Sequence, residues 1–571
     1  MKKEKKVLVI GLDGATFDLI EPWVAEGKLP ALGALMKQGC WGNLISTLQS
    51  NSAQAWSTFI TGMNAGKHGI YDFIRPIPGS YKVQFTNASL RDGKSLWKAA
   101  SENGLKVGIM NVPMTYPPEA VNGFLISGVD APGVNSDFAY PPEILAEVEK
   151  SVGSYILEAG VTGLIRRGRP DLALSRMDKT IEMRYKAAEY CIKHKDWNLF
   201  MVVFTEPDRV QHFFWKYINK NHPNYRESEA DKYGEGILRI YEKLDEAVDK
   251  LVGLSPEETT VFIMSDHGGG PSSNKTFYIN KWLEAEGYLE FKSEGRPIDK
   301  LDRWKRNILR KLDYLLSARL PRGVKENLVR LLPGLRNKVS SVLLLDNINW
   351  QKTKVYSRES ASVISINLKG REPEGIVAPE DYEQVSKEII KNLKALRCPE
   401  TGEPIISEVY RKEDIYSGPY IDFAPDLFIE WNKYSYIQRP SYLSKGKGFT
   451  EVLKDRELAW AERMSRPSGI HRPEGVVLCV GKGIKKGEKI KNARLMDLYP
   501  TILYSLGISI SAEVEGTVIE DIFKPSFLAK NPIRIKVTEK VVGDTPKQKT
   551  AFTDEESDII KERLSGLGYI D

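Results

Sequence analysis

Cysteine is nearly absent from this sequence. Four residues, Cys40, Cys191, Cys398 and Cys479, are scattered over 571 positions, and none forms a CxxC pair. That excludes a disulfide scaffold, a zinc knuckle and a thioredoxin-type motif. The thiols read as small buried apolar groups, and a reducing cytoplasm is the expected compartment. Long apolar runs are missing too. No stretch approaches the ~20 residues that a membrane-spanning helix requires. The basic start "MKKEKKVLVIGLDGAT" carries only "VLVIGL" before Asp13, too short for the apolar core of a signal peptide. Nor does one sign of charge dominate. The 82 basic and 76 acidic residues leave a formal charge of +6, small for this length, so no nucleic-acid partner is expected. Histidine is scarce as well, with six residues at 68, 194, 212, 222, 267 and 471.

Composition is that of a globular protein, with 41% hydrophobic and 28% charged residues. The length exceeds one ordinary core and implies several domains or one large α/β domain with insertions. Short apolar runs read as fully buried strands of a parallel sheet: "VLVIGL" (7–12), "KVGIMNV" (106–112), "LFMVVF" (199–204), "TVFIMS" (260–265) and "GVVLCVG" (475–481). Helical patterns between them, such as 177–194 and 226–253, give the alternation of an α/β fold with helices on both faces.

The pattern changes between 286 and 350. Short amphipathic helices broken by Pro321 and Pro333 are expected there, with 14 Lys/Arg against 6 Asp/Glu from Glu290 to Lys338, a balance of +8. This divides the chain into a first part of the catalytic domain (1–285), a basic insertion or cap (286–350), the remainder of the domain with cap-like elements (351–525) and a C-terminal extension (526–571). In 351–440, "SVISINLKG" and "APDLFIEW" read as strands and "EDYEQVSKEIIKNLKAL" as a helix. In the extension, Thr553 followed three residues later by Glu556 is a capping-box pattern that opens a last helix.

The polar residues that follow the strands carry the chemistry. Asp13 follows "VLVIGL", Asp208 follows "LFMVVFTEP" and Asp266 follows "TVFIMS". In open parallel sheets ligands bind beyond the carboxyl ends of the strands, so these aspartates are expected to share one crevice. Three histidines join them. In "PDRVQH", Asp208 and His212 stand four apart, on one face of a helical turn. In "SDHGG", His267 adjoins Asp266, with glycines after it that let the backbone turn tightly; "SGIHRPEG" places His471 in a loop before a strand. Mixed carboxylate and imidazole donors suit Zn²⁺, and Mn²⁺ less specifically. Six such donors are too many for one tetrahedral ion and match two, held ~3.5–4 Å apart as in phosphoryl-transfer hydrolases. His194 and His222 read as surface residues. Candidate nucleophiles lie in "STLQSNSAQAWSTFITG", at Ser50, Ser52, Ser57, Thr58 and Thr61. Ser52 near a helix start is either a nucleophile under the helix dipole or only the N-cap.

The motifs "VLVIGLDGAT", "NSAQAWSTFITG", "KHGIYDF", "TEPDRVQH", "SDHGG", "GIHRPEG" and "MDLYPTILYSLGI" follow in an order that resembles the alkaline phosphatase superfamily. The branch is similar to the type I phosphodiesterase/nucleotide pyrophosphatase group, and within it to prokaryotic predicted phosphohydrolase/phosphomutase proteins. The resemblance runs from residue 5 to about 525 and implies an alkaline phosphatase-like α/β fold with a mostly parallel central sheet. It implies a hydrolase that cleaves a phosphodiester or phosphomonoester through a phosphoserine, using two divalent cations, Zn²⁺ or else Mn²⁺. The first ion falls to Asp208, His212 and His471; the second to Asp13, Asp266, His267 and the nucleophile. Ser52 takes that last role, ten residues before the "TG" of "FITG".

One position departs from the pattern. Where diesterases keep a phosphate-contacting asparagine after "HGI", this chain has Phe73, which argues against a nucleotide substrate. A phosphomutase of the same superfamily is the second reading. A sulfatase is disfavoured because "NSAQAW" lacks the C/S-x-P-x-R signature. A third reading is a peripheral membrane or anionic-ligand binding protein that uses the basic insertion. The expected partner is a phosphorylated small molecule or a lipid-linked substrate, with contact at the inner membrane face through 290–340.

Overall fold

The computed structural model describes residues 5–133, 136–292, 345, 347–358, 361–441, 444, 448–454, 467–537 and 552–567. The basic stretch expected to form a cap and to contact a membrane, 290–340, lies outside the described residues apart from its first three. Described residues on either side of it meet: Phe291 bridges Ile348, and Lys292 N donates to Asn347 O at 2.7 Å.

The apolar runs assemble into a ten-stranded sheet. In chain order its strands are β1 (Val7–Leu12), β2 (Cys40–Ile45), β3 (Val107–Val112), β4 (Gly123–Ser127), β5 (Ala139–Tyr140), β6 (Leu199–Phe204) and β7 (Thr260–Met264). Two further strands, β8 (Gly268–Pro271) and β9 (Gly469–Arg472), pair with each other outside it. The last members are β10 (Glu474–Val480), β11 (Glu488–Lys489) and β12 (Ala493–Arg494). The spatial order is β11-β2-β10-β7-β1-β6-β3-β4-β5, with β12 beside β2. Strands β7, β1, β6, β3 and β4 are mutually parallel. Their side chains are almost all buried, which is why they read as unbroken apolar runs rather than as alternations.

One strand departs from the parallel expectation. The run in 475–481 is β10, and it lies antiparallel between β7 and β2. Burial on both faces makes a strand apolar whichever way it runs, so the sequence pattern carries no direction.

The sheet levels the site. β1 is in register with β6 from Val7↔Leu199 to Leu12↔Phe204, and with β7 from Val7↔Thr260 to Gly11↔Met264. The residues that follow these strands therefore emerge together at one edge. Helices α1 (Ser52–Thr61), α2 (Pro170–His194), α3 (Glu206–Ile218), α4 (Gly236–Leu254) and α5 (Leu498–Leu506) cover the sheet. α4 packs on α2 and α3, while α5 packs on α1 and β1. Every residue of α1 is buried, and Trp56 reaches the sheet where Gly11 has no side chain: a Cβ there would stand 3.1 Å from Trp56 Cη2. The pattern over 226–253 resolves into two helices, Glu227–Tyr233 and α4, which separate at Gly234, a residue of low helix propensity.

A second apolar core, around Phe277, Trp282, Tyr356, Leu393 and Leu427, lies beside the first. Its sheet is antiparallel, ordered Val355–Tyr356, Val363–Ile366, Leu427–Trp431, Ile406–Arg411, and helix Tyr382–Ala395 packs against the last strand. The C-terminal helix α6 (Asp554–Leu567) opens on the expected capping box: Glu556 N donates to Thr553 Oγ1 at 3.2 Å and Thr553 N to Glu556 Oε2 at 2.9 Å. It buries Ile560 and Leu564 in the main core. All four cysteines are free and buried. Among the described residues, no helix is long and apolar enough to cross a membrane.

Candidate active site

Asp13 leaves the end of β1 in a turn that cannot carry a side chain at the next position. Gly14 has φ +70°, and a Cβ there would stand 3.0 Å from Asp208 Cα. The turn is thus packed directly on the first turn of α3. Gln211 on α3 donates from Nε2 to Gly14 O at 2.7 Å and holds the two together. Beyond β7, Ser265 Oγ donates to Ala15 O at 3.1 Å and accepts from Val476 N at 2.8 Å, fixing the backbone just before Asp266 and His267. Asp13, Asp208, Asp266 and His267 are all buried.

His471 comes from β9, whose pairing with β8 sets Gly269 opposite it. The glycines after His267 were expected to make a tight turn. They do not: Gly268, Gly269 and Gly270 lie in β8, and none has positive φ. Their lack of side chains is a spacing requirement instead. A Cβ at 268 would stand 2.1 Å from Glu474 O, and one at 269 would stand 2.3 Å from Gln211 Oε1.

The expected first-ion donors converge. Asp208 Oδ1 is 3.1 Å from His212 Nε2 and 3.2 Å from His471 Nε2, and the two imidazole nitrogens are 3.1 Å apart. The second group adjoins it. His267 Nε2 lies 3.1 Å from Ser52 Oγ, 3.3 Å from Asp266 Oδ2 and 3.8 Å from Asp13 Oδ1. Two sets, Asp208–His212–His471 and Asp13–Asp208–His267, each bring one donor atom per residue within 4.8 Å of the others. Asp208 belongs to both, so it lies between the two groups, where the family resemblance assigned it to one.

Hydrogen bonds at the far side of each ring fix the tautomers. Nδ1 faces a backbone carbonyl in all three: Gly469 O at 2.9 Å for His212, Ser50 O at 2.7 Å for His471 and Gly268 O at 2.9 Å for His267. A carbonyl only accepts, so each Nδ1 carries a proton and Nε2 is the ring nitrogen turned to the centre, where a cation would take its lone pair. Such orientation by backbone acceptors is what metal-ligating histidines need. Two buried carboxylate oxygens, Asp13 Oδ1 and Asp266 Oδ2, have no hydrogen-bond partner among the described residues. A donor set of imidazole Nε2 atoms and orphaned carboxylate oxygens fits divalent cations.

Electrostatics point the same way. Burial raises the Asp13 carboxyl well above its usual range, and the charges of Asp266 and Asp208 push it further. Burial, then the charge of Asp208, lifts Asp266 to about 7. Burial opposes ionisation of Asp208 too, but the imidazoles of His212 and His471 hold its pKa well below the ordinary value. Burial drives His267 well below the usual imidazole range, with His471 adding to it. Desolvated carboxylates that crowd one point call for positive charge. Arg209 Nη1, at 3.0 Å from Asp208 Oδ2 and buried, supplies part of it.

The cap of α1 is Asn51, whose Oδ1 accepts from Ala53 N at 2.9 Å. Ser52 is therefore not the cap but the first helical residue, with Oγ aimed at His267. Two of the other hydroxyls are engaged elsewhere, and Ser57 Oγ is buried without a hydrogen-bond partner among the described residues. Thr58 Oγ1 bonds His68 Nε2 at 3.0 Å, Thr61 Oγ1 donates to Ser57 O at 2.8 Å, and Ser50 offers its carbonyl to His471. Phe73 is buried, and its neighbour Asp72 accepts from Asn51 Nδ2 at 2.8 Å. His194 is exposed as expected, but His222 is buried, a correction: Asn224 N donates to its Nδ1 at 3.1 Å within a tight turn. Arg209, Gln211 and Ser265 escaped the sequence reading, since their roles rest on packing against other elements.

The family model described as type I phosphodiesterase/nucleotide pyrophosphatase matches residues 7–449, which include every expected site residue except His471. Among curated proteins, none matches the sequence. Among solved structures, human ectonucleotide pyrophosphatase/phosphodiesterase 5 is similar at 14% identity, over 91% of this chain and 100% of that one, with a TM-score of 0.46. Phosphonoacetate hydrolase from Sinorhizobium meliloti, in complex with phosphonoformate, is similar at 13% identity, over 88% and 95%, with a TM-score of 0.49. With the family model spanning most of its length, the chain belongs to the type I phosphodiesterase/nucleotide pyrophosphatase family and is a hydrolase of phosphoric ester bonds.

Proposed function

We propose that the enzyme cleaves its phosphoester by attack of Ser52, with two divalent cations held by the converging side chains. The observation that carries this is the convergence of three Nε2 atoms on Asp208 and Asp266, beside unpartnered carboxylate oxygens, with Ser52 Oγ 3.1 Å from His267 Nε2. Asp208, His212 and His471 would hold one ion; Asp13, Asp266, His267 and Ser52 the other. When bound, the pair would neutralise the carboxylates and polarise the phosphoryl oxygens, and Zn²⁺ suits these donors, with Mn²⁺ the alternative.

The chain's own residues do the rest. Ser52 opens α1, so its oxygen stands at the positive end of the helix dipole, which favours an alkoxide. The rigid, buried seat of α1 fixes that oxygen for in-line displacement at phosphorus, where positioning supplies much of the rate. The ester oxygen leaves on the opposite side, and a phosphoserine at position 52 remains for water to cleave. Phe73, in place of a phosphate-contacting asparagine, supports a substrate other than a nucleotide, such as a phosphorylated small molecule or a lipid-linked phosphoester.

Metal analysis of the purified protein, followed by a panel of phosphomonoesters and phosphodiesters, tests the proposal. Two cations per chain and ester turnover are the expected result. A metal-free protein that turns over esters equally well would overturn it.

A further inference from the structure

One oxygen of each site aspartate is already taken. Arg209 Nη1 holds Asp208 Oδ2 at 3.0 Å, and Gly14 N donates to Asp266 Oδ1 at 3.4 Å. On Asp13 the holder is Trp56, whose Nε1 donates to Oδ2 at 3.3 Å. The opposite oxygens face the imidazoles. Asp208 Oδ1 lies 3.1 Å from His212 Nε2, Asp266 Oδ2 lies 3.3 Å from His267 Nε2, and Asp13 Oδ1 lies 3.8 Å from that same nitrogen.

Trp56 differs from the other two holders in where it stands. Arg209 adjoins Asp208 on α3, and Gly14 lies in the turn after β1. Trp56 lies on α1, four residues after Ser52, so the two side chains leave one face of the helix. From that face Ser52 Oγ reaches to 3.1 Å from His267 Nε2. The contacts close a ring: Ser52 to His267, His267 to Asp13, Asp13 to Trp56, and back along one turn of α1. An indole N–H only donates, and inside a protein it needs an acceptor. Trp56 is fully buried, crossed with Phe59 at a centroid distance of 5.8 Å and seated on the sheet at Gly11, so its N–H is held in one direction.

Resting on the two-cation phosphoester reading above, we propose that Trp56 is a positioning residue for the second cation. Its N–H fixes Asp13 Oδ2, so Asp13 meets that cation through Oδ1 alone, and the cation's seat is keyed to the helix that carries Ser52. Without the N–H the carboxylate can rotate, and a donor that must be ordered on binding holds an ion less tightly. The alternative role, filling space above Gly11, needs the ring but not the N–H.

Calorimetric titration of Zn²⁺ into the metal-free enzyme separates the two roles. In one variant Trp56 is replaced by benzothienylalanine, which keeps the shape of the indole with sulfur in place of N–H; the other is Trp56→Phe. Both should bind one cation at least about tenfold more weakly and the other within about twofold of wild type. Phe59→Leu, which opens space against the same ring and keeps the N–H, should lower the melting temperature and leave both affinities within about twofold. If the benzothienylalanine variant keeps both affinities or loses both by the same factor, or if Phe59→Leu reproduces the selective loss, Trp56 only fills space, and the site reading stands without the inference. If the wild type takes up fewer than two cations per chain, the site reading falls and the inference with it.

Discussion

Gly269 and Gln211 meet so closely that a single methyl would separate them: a Cβ at 269 would stand 2.3 Å from Gln211 Oε1. Gln211 also holds the Asp13 turn through Gly14 O, so the contact links β8, α3 and the end of β1. Gly269→Ala should cost about 1–3 kcal/mol by overpacking. It should also weaken cation binding, because the strand that faces His471 must move. Thermal unfolding together with metal titration checks both effects. Unchanged metal affinity would mean that the spacing does not position the donors.

Ser52→Ala should retain both cations and lose at least about 10³-fold in turnover of p-nitrophenyl phosphate esters. Activity at the wild-type level would remove Ser52 as nucleophile. Activity lost together with one cation would make it a ligand whose attack is unproven.

His471→Ala should lower the affinity for one of the two cations by at least about 100-fold and leave the other bound. Stoichiometry by atomic absorption after dialysis reads this directly. The prediction bears on the one expected donor that lies beyond the stretch matched by the family model. Retention of both cations would place His471 outside the donor set.

The metal-free protein should lose stability as pH rises from 6.5 to 8. Asp266 and Asp72 are each pushed up to about 7 in the folded state, above the ordinary carboxylate value of 3.8. Between those values the folded chain holds protons that the unfolded chain has released, so stability falls as pH rises. His267, held low by burial, acts the other way, but only below its ordinary value of 6.5. Above 6.5 His267 no longer contributes, and the Cys398 thiol, drawn down to about 6 by hydrogen bonds with Thr401 and Tyr436, opposes the decline, so the measurement is made on Cys398→Ser. Melting temperatures with and without added Zn²⁺ test this: the decline should be present without metal and reduced with it.

Arg184 Nη1 reaches both oxygens of Glu206 at 3.0 and 2.9 Å, and both side chains are fully buried. Glu206 opens α3, the helix of Asp208 and His212. Arg184→Met should cost about 3–5 kcal/mol, since it leaves Glu206 charged and unpaired inside the protein. Chemical denaturation measures the loss. A cost under ~1 kcal/mol would mean that water replaces the guanidinium.

Much of the site was legible because its residues follow strands that betray themselves by unbroken apolar runs. Asp13, Asp208 and Asp266 could be placed at one edge from pattern alone, and the i, i+4 spacing set His212 beside Asp208. The direction of β10 was not legible, since Val476, Val477 and Leu478 are buried whichever way the strand runs. The glycines after His267 were visible but misread: three in a row suggest freedom to turn, whereas here they mark a surface pressed from outside by Glu474 O and Gln211. His222 looked polar and exposed because its burial depends on how the turn it sits in folds back. Asn51 and Asp72 lie 21 residues apart, and no spacing rule announces a bond between a helix cap and a loop carboxylate.

The order of the strands has a consequence for how the enzyme comes into being during synthesis. β1 is made well before both neighbours it pairs with, β6 from Leu199 and β7 from Thr260. Asp13 and Ser52 therefore leave the ribosome long before Asp208, Asp266 and His267 exist to face them, and His471 comes later still. A nascent chain carries an apolar central strand with no partner until β6 has been made, and an incomplete donor set until His471 follows. The complete site can close only after residue 471 has been made, so premature termination anywhere before it leaves a product that cannot assemble the site.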